Sequence, residues 1–457
     1  MSVAQAWNNF GAITMKTRVG IRREDKSFEL RTPLVPDDVQ YLAQQHGLEF
    51  VVEPSHQRGF CEANYKKVGA RIGNIRGSDV PVVFGLKEIP HTEFEPGKVY
   101  VFFAHVIKGQ PQNMAMLRHV MDIGATLIDY ERIVEVQSGK RLIFFGNWAG
   151  YAGMAEALRA LGQKLAAEGI KPNPFTKLRP TYEYDGLKGL EKAIRELGES
   201  IKEDGVPPAL TPFVVGFIGY GNTSKGAQAI FDLLPHREVS PADLATLAPD
   251  RHSIYKVVFR EEHTVRPRDP RQAFDLQDYY ANGKAKYDSQ FSQYLPYLTV
   301  IMNCIYWSDK QPRLIIRSDA RDLYQQTQGS PRLRVIGDIS CDIEGAIEFT
   351  TEITKPEQPF FTYDPTSGKN ALGVAKQGIV VMAVDNLPTE LPRESSTSFS
   401  QTLSQFVPAI AKADYAVPFE KLALPPEVKK AVIVYRGKLT PEYEYLKDHL
   451  LKQESRK

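Results

Sequence analysis

Four side chains in the first third of the chain have the chemistry to move protons or hold anions, and each follows an apolar run. Lys16–Gly20 leads to Arg22, and Val80–Leu86 leads to Lys87 and Glu88. Val99–Ala104 leads to His105, with Lys108 close behind, and Ala125–Ile128 leads to Asp129-Tyr130-Glu131. Apolar runs of this length read as buried strands. Ligands of open α/β sheets bind outside the carboxyl ends of such strands. If the strands run parallel, Arg22, Lys87, His105 and Glu131 meet at one sheet edge. The set then holds an arginine for bidentate clamping of a carboxylate, two proton-transfer groups and a carboxylate that tunes them. Singly, each has a plainer role: a solvated loop lysine, a structural histidine, a surface ion-pair arginine, a glutamate at the positive end of a helix. Their common placement turns the reading toward chemistry.

A second constellation is FVVGFIGYGNTSKG, residues 213–226. The apolar run Phe213–Ile218 enters Gly219-Tyr220-Gly221-Asn222-Thr223-Ser224, and a helical stretch follows from Lys225 to Leu234. Strand, glycine turn and helix in that order present backbone N–H groups to a pyrophosphate. Gly219 permits the tight turn, Gly221 lets the backbone approach the phosphates, and Ser224 stands where a third glycine is usual. A reader of the adenosine ribose belongs at the end of the second strand, roughly 20 residues past the first glycine. That region reads His236-Arg237-Glu238-Val239-Ser240. If the strand ends at Val239, Ser240 is the reader, with Arg237 and Lys225 nearby, which favours a 2′-phosphate and NADP. If Glu238 is the reader, NAD is favoured.

The elements that must position these residues alternate. Strands and helices succeed one another through the first 145 residues, the signature of βαβ units and a parallel sheet; Arg141–Phe145 reads as a further strand. Tyr151–Glu168 has helical spacing and crosses from one domain to the next, with Gly150 and Gly153 placed to absorb a closing motion. Leu187–Lys202 is an amphipathic helix, and residues 235–298 read as a largely irregular insertion. Later strands fall at Thr299–Tyr306, Arg334–Ile339 and Gly378–Val384. The expectation is two doubly wound, Rossmann-like α/β domains flanking a cleft. The first, for substrate, comprises residues 1–145 with a C-terminal return over 386–457; the second, for the dinucleotide, comprises 146–385.

Composition narrows the function. The net charge of +2 comes from nearly balanced acids and bases, with no basic run to suggest a nucleic-acid surface. No apolar run is long enough to span a membrane, and no charged segment followed by an apolar core marks a secretory signal. Three scattered cysteines fit a reducing, cytoplasmic setting and no disulfide framework, and no Cys/His cluster has metal-ligand spacing.

Several stretches together match one family: IRREDKSFELRTPLVPDDV (21–39), GLKE (85–88), FFAHVIKGQPQN (102–113), LIDYE (127–131), FFGNWAGYAGM (144–154), GYGNTSKGAQAIF (219–231), GDISCDIEGAIEF (337–349) and DNLPTELPRESS (385–396). The chain resembles the lysine–ketoglutarate reductases, or lysine-forming saccharopine dehydrogenases, as found in the N-terminal half of aminoadipic semialdehyde synthases. More distantly it is similar to alanine dehydrogenase and the nicotinamide-binding part of transhydrogenase. The resemblance implies that L-lysine condenses with 2-oxoglutarate and that NADPH reduces the imine to saccharopine. It places the acid–base pair on Lys87 and His105, the arginine near the first strand on Arg22, the tuning carboxylate on Glu131 and the acid after the lysine on Glu88. The acidic residue of a late strand falls on Asp338 or Asp342. Fungal members use NAD and the bifunctional animal and plant members NADP; the greater likeness to the latter implies NADP. Their fused glutamate-forming saccharopine dehydrogenase would then be a separate partner here. Other readings are an amino-acid or opine-type dehydrogenase of the alanine dehydrogenase kind, and a non-catalytic nucleotide-sensing subunit, which would lack the strand-end set.

Overall fold

The computed structural model describes residues 17–454, and they divide into two compact units. One runs to Phe144 and resumes at Pro392; the other is Phe145–Leu391.

The first unit is built on strands β1 (Arg18–Ile21), β2 (Glu49–Val52), β3 (Arg71–Ile72), β4 (Val82–Phe84), β5 (Val99–Phe102) and β6 (Thr126–Asp129). They lie in the order β6-β5-β4-β1-β2-β3, all parallel. Val432–Tyr435 adds an antiparallel strand beside β6, and Lys438–Leu439 pairs antiparallel on its outer side as the edge. Strands β4 and β5 are buried along their whole length, as Val-rich strands of a sheet covered on both faces must be. Helix α1 (Pro36–His46) opens on Pro36 with Asp37 and Asp38 in its first turn and ends on Gly47. Helices α2 (Glu62–Lys67) and α3 (Pro111–Asp122) complete the βα pattern. The C-terminal return docks by side-chain hydrogen bonds: Ser396 Oγ accepts from Thr32 N at 3.0 Å and Ser400 Oγ from Val35 N at 3.0 Å. The strand expected at Arg141–Phe145 is a single bridge from Val134 to Arg141, and Lys16 lies outside the described residues.

The second unit opens with helix α4 (Gly146–Glu168) and α5 (Gly186–Asp204), then β7 (Val214–Ile218), α6 (Asn222–Phe231), β8 (His236–Val239) and β9 (Ile254–Phe259). A hairpin of β10 (Val265–Pro267) and β11 (Tyr287–Ser289) stands apart from the sheet. The sheet continues with β12 (Val300–Asn303), β13 (Val335–Asp338), β14 (Phe360–Asp364), β15 (Lys369–Leu372) and β16 (Ile379–Met382). Its order is β8-β9-β7-β12-β13-β16-β14-β15, parallel from β8 to β16. Residues 235–298 are therefore not a largely irregular insertion, for they contain β9, a six-residue strand next to β7.

Helix α4 begins at Gly146, earlier than its apolar spacing suggests, because its first turns are glycine contacts. A Cβ at Gly150 would lie 2.1 Å from Thr223 O, and one at Gly226 would lie 2.1 Å from Asn147 O. Helices α4 and α6 thus touch backbone to backbone, which fixes the start of α6. Gly153 packs on Ile339. Gly150 and Gly153 both lie inside α4, where they pack closely.

A buried acid pair in this unit gives a stability prediction. Glu156 accepts from Arg159 and, through Oε1, from Thr181 N and Oγ1 at 2.8 and 2.9 Å. Glu390 is 1 % exposed, and burial, then the charge of Glu156, raise its pKa well above the usual carboxylate value. Above that usual value the unfolded chain loses this proton while the folded one keeps it, so stability falls as pH rises. Glu390→Gln removes the penalty and keeps a donor toward Glu156. Thermal unfolding followed by circular dichroism should show a higher midpoint than wild type near neutral pH, with the gap closing toward pH 4. A lower midpoint at neutral pH would mean that Glu390 is ionised and paired.

Candidate active site

The strands β1, β4, β5 and β6 run parallel, so the residues after them gather at one sheet edge. The order of the strands is the reason that Lys87, Glu88, His105 and Glu131, far apart in sequence, share it. Glu24 pins the loop after β4: its carboxylate accepts from Leu86 N at 2.8 Å and Lys87 N at 2.9 Å. Burial raises Glu24 to about 7 against the opposing charge of Arg22.

The Lys87 ammonium is lowered from its ordinary pKa, first by burial and then by the positive charge of Arg31, with Glu29 opposing. The neutral amine is thereby brought toward working pH. His105 Nδ1 sits 2.5 Å from Glu88 Oε1. Burial alone would raise Glu88, but the hydrogen bond and charge of His105 outweigh it and take the carboxyl down to about 2. An ionised Glu88 fixes Nδ1–H as donor, which leaves Nε2 as the ring nitrogen for proton exchange. His105 holds a positive φ of 48°, a backbone conformation costly for a residue with a Cβ, and Asn113 Nδ2 bonds its carbonyl at 3.1 Å. Glu131 Oε1 pairs with Arg141 at 2.9 Å. Behind it, wholly buried Asp129 is raised to about 7 by burial and then by the charge of Glu131.

Arg22 follows β1 and is buried; its Nη2 is 2.5 Å from Asp25 Oδ2, its stem lies over Gly85, and its buried Nη1 has no hydrogen-bond partner among the described residues. The guanidinium whose charge reaches Lys87 is Arg31. Arg31 is buried and bidentate on Glu29, at 2.7 and 2.6 Å. Sequence reading passed over Glu24, Glu29 and Arg31 because they stand in a loop without periodicity; the one signal was a dense alternation of charges directly after a strand. Lys108 is exposed, its N–H bonded to Gln110.

In the second unit Gly219 has φ +89°, and its N–H donates to Phe259 O at 2.9 Å. A Cβ at Gly221 would meet nothing within 4 Å, so the space before α6 is open. Gly221 gives that helix no side-chain cap, leaving the N–H groups of Asn222, Thr223 and Ser224 for an anion. These residues fit a dinucleotide pyrophosphate. Ser224, at the third-glycine position, is buried and accepts from Gln228 at 2.9 Å.

The strand reached by counting forward from the glycine turn is not the one beside it. β8 is the edge strand, and β9 is the one beside β7. Arg237 pairs with Asp250 at 3.0 Å, Glu238 with Lys256 at 2.9 Å, and Ser240 Oγ donates to Asp243 at 2.6 Å. Lys225 is exposed on α6. Asp338 ends β13 opposite Asn303 of β12. It accepts from Asn303 Nδ2 at 2.8 Å and Thr350 Oγ1 at 2.7 Å, and burial raises it to about 6. Asp342 is exposed.

Two family models match: the alanine dehydrogenase/PNT N-terminal domain over residues 20–152 and the C-terminal domain of the same family over 300–442. Together they span more than half of the chain. The chain belongs to the alanine dehydrogenase/PNT superfamily. Within that superfamily it is 36 % identical to an alpha-aminoadipic semialdehyde synthase of Arabidopsis thaliana over 94 % of its length and 41 % of the relative's. It is 34 % identical to the mitochondrial synthase of Rattus norvegicus, again over 94 % of this chain and 48 % of the relative. The chain therefore spans less than half the length of these curated relatives. A lysine-forming, NAD(+) saccharopine dehydrogenase of Emericella nidulans is 28 % identical over 84 % of this chain and 90 % of its own. An L-alanine dehydrogenase structure superposes with a TM-score of 0.57 at 16 % identity, covering 95 % of this chain and 99 % of its own. A transhydrogenase from Sinorhizobium meliloti gives 0.53 at 14 %, covering 93 % and 100 %. These structures share the fold, two Rossmann-like α/β domains. Among the described residues no helix is long and apolar enough to cross a membrane.

Proposed function

We propose that this protein condenses L-lysine with 2-oxoglutarate and reduces the product to saccharopine with NADPH. The observation that carries the reading is the trio Lys87, Glu88 and His105 at the ends of parallel strands, with Lys87 shifted toward its neutral form. The first unit serves as the substrate unit and the second as the dinucleotide unit. Neutral Lys87 accepts a proton from the ammonium of the substrate lysine. The freed amine attacks the keto carbon of 2-oxoglutarate, and His105, held by Glu88, returns a proton to the departing hydroxyl so that water leaves. Bound NADPH supplies the hydride that reduces the resulting imine. Arg31, paired on Glu29, sets the charge beside Lys87, and Glu131 and Asp129 set the charge around His105. Asp338 and the uncapped start of α6 lie in the dinucleotide unit.

A cofactor-oxidation assay tests the proposal. Oxidation is expected only with lysine and 2-oxoglutarate together, and NADPH should be favoured over NADH by at least about tenfold in catalytic efficiency. Turnover with pyruvate and ammonia in place of that pair would move the protein to the alanine dehydrogenase kind of reaction.

A further inference from the structure

The displacement of β8 to the sheet edge leaves a different residue at the place from which a doubly wound sheet reads the adenosine ribose. That place is the carboxyl end of the strand beside the glycine-turn strand. Here it is the end of β9, which pairs level with β7, Ile218 opposite Phe259. The Gly219–Phe259 backbone bond ties the turn to that end, so Arg260 and Glu261 are the residues that follow.

Their environments differ. Arg260 is exposed, and its guanidinium lies over the ring of Tyr220, 5.1 Å from the centroid, inside the glycine turn itself. No carboxylate among the described residues forms an ion pair with it. Glu261 Oε1 instead accepts from the Tyr280 hydroxyl at 2.6 Å and faces the Tyr220 hydroxyl at 3.5 Å. The acid that would bond two ribose hydroxyls is held by tyrosines, and the cation beside it is open. A guanidinium offers a rigid fork to a phosphate, and stacking on an aromatic ring fixes its plane beforehand.

We propose that Arg260, held on Tyr220, selects a 2′-phosphorylated adenosine. This rests on the reading of the glycine turn as a dinucleotide site and replaces Arg237 and Ser240 as the ribose-phosphate readers. Calorimetric titration of the whole chain with adenosine 2′,5′-bisphosphate and with 5′-AMP tests it without turnover. The bisphosphate should bind about tenfold or more tightly than 5′-AMP. Arg260→Gln, at an exposed position, should abolish that preference and leave 5′-AMP affinity unchanged. Arg237→Gln should keep the preference. A preference that survives Arg260→Gln, or a wild type that favours 5′-AMP, overturns the assignment of Arg260 while the glycine turn stands as a nucleotide site. Failure of both nucleotides and of NADPH to bind overturns the site as well.

Discussion

Lys87→Met and His105→Gln should each lower turnover with lysine and 2-oxoglutarate by about 10²-fold or more, while NADPH affinity stays near wild type. The two substitutions act on proton transfer by different routes. Methionine fills much of the volume of Lys87 and removes the amine that burial and Arg31 bring toward neutrality. The backbone there is held independently, since Glu24 bonds the main-chain N–H groups of Leu86 and Lys87 rather than the ammonium. Glutamine at 105 retains a donor toward Glu88 but has no titrating nitrogen. The nucleotide turn belongs to the other compact unit and shares no residue with this cluster. Steady-state kinetics with a separate NADPH binding measurement therefore divides the outcomes. A fall in kcat with unchanged binding is expected; near-wild-type turnover in either variant removes that residue from the chemistry. Glu88→Gln should leave a smaller loss and an altered pH profile, because it removes the charge beside His105 Nδ1–H but keeps an acceptor and the ring.

The legible parts of this chain were those written in a single run of residues. Strands β4 and β5 read as Val-rich apolar stretches because both faces are covered, and each is followed three residues later by a polar one, Lys87 and His105. The glycine turn was legible for the same reason, as strand, turn and helix are contiguous. Strand β9 was not. Its apolar run IYKVVF is broken by Lys256, a buried lysine whose ammonium is paired by Asp232 at 2.7 Å and Glu238 at 2.9 Å from other elements. Without β9, counting forward from Gly219 led to β8, which is the edge strand. Spatial order, not sequence spacing, decides which strand stands beside the turn. Arg31 was missed similarly: a buried ion pair in a loop has no period, and only the fold shows that its charge reaches Lys87. The positive φ of His105 has no sequence signature either, since histidine does not demand it.

Arg31→Met should produce the largest stability loss among these variants and also move the pH dependence of catalysis. Arg31 and Glu29 form a bidentate pair with side chains 3 % and 0 % exposed. Breaking a buried pair from one side leaves an uncompensated charge and costs about 3–5 kcal/mol. Burial alone would raise Glu29, yet the charge and hydrogen bonds of Arg31 hold it below its ordinary pKa. A lowered carboxyl contributes stability above its unfolded pKa and loses it as pH falls through the folded one. Removing Arg31 removes that contribution and lets burial drive Glu29 toward protonation. The urea midpoint of the variant should fall well below wild type near pH 7.5, and the gap should narrow toward pH 5. Glu29→Gln combined with Arg31→Met should be less destabilised than Arg31→Met alone, because the stranded carboxylate is gone. Additive losses would show that the pair is not coupled. The same substitution deletes the positive charge that ranks next to burial in lowering Lys87, and that charge outweighs the opposing one of Glu29. The ammonium should therefore titrate higher, shifting the limb of the kcat/KM profile that needs the neutral amine to higher pH. An unshifted limb, in a variant shown to be folded at the assay temperature, would mean that the group titrating in that limb is not Lys87.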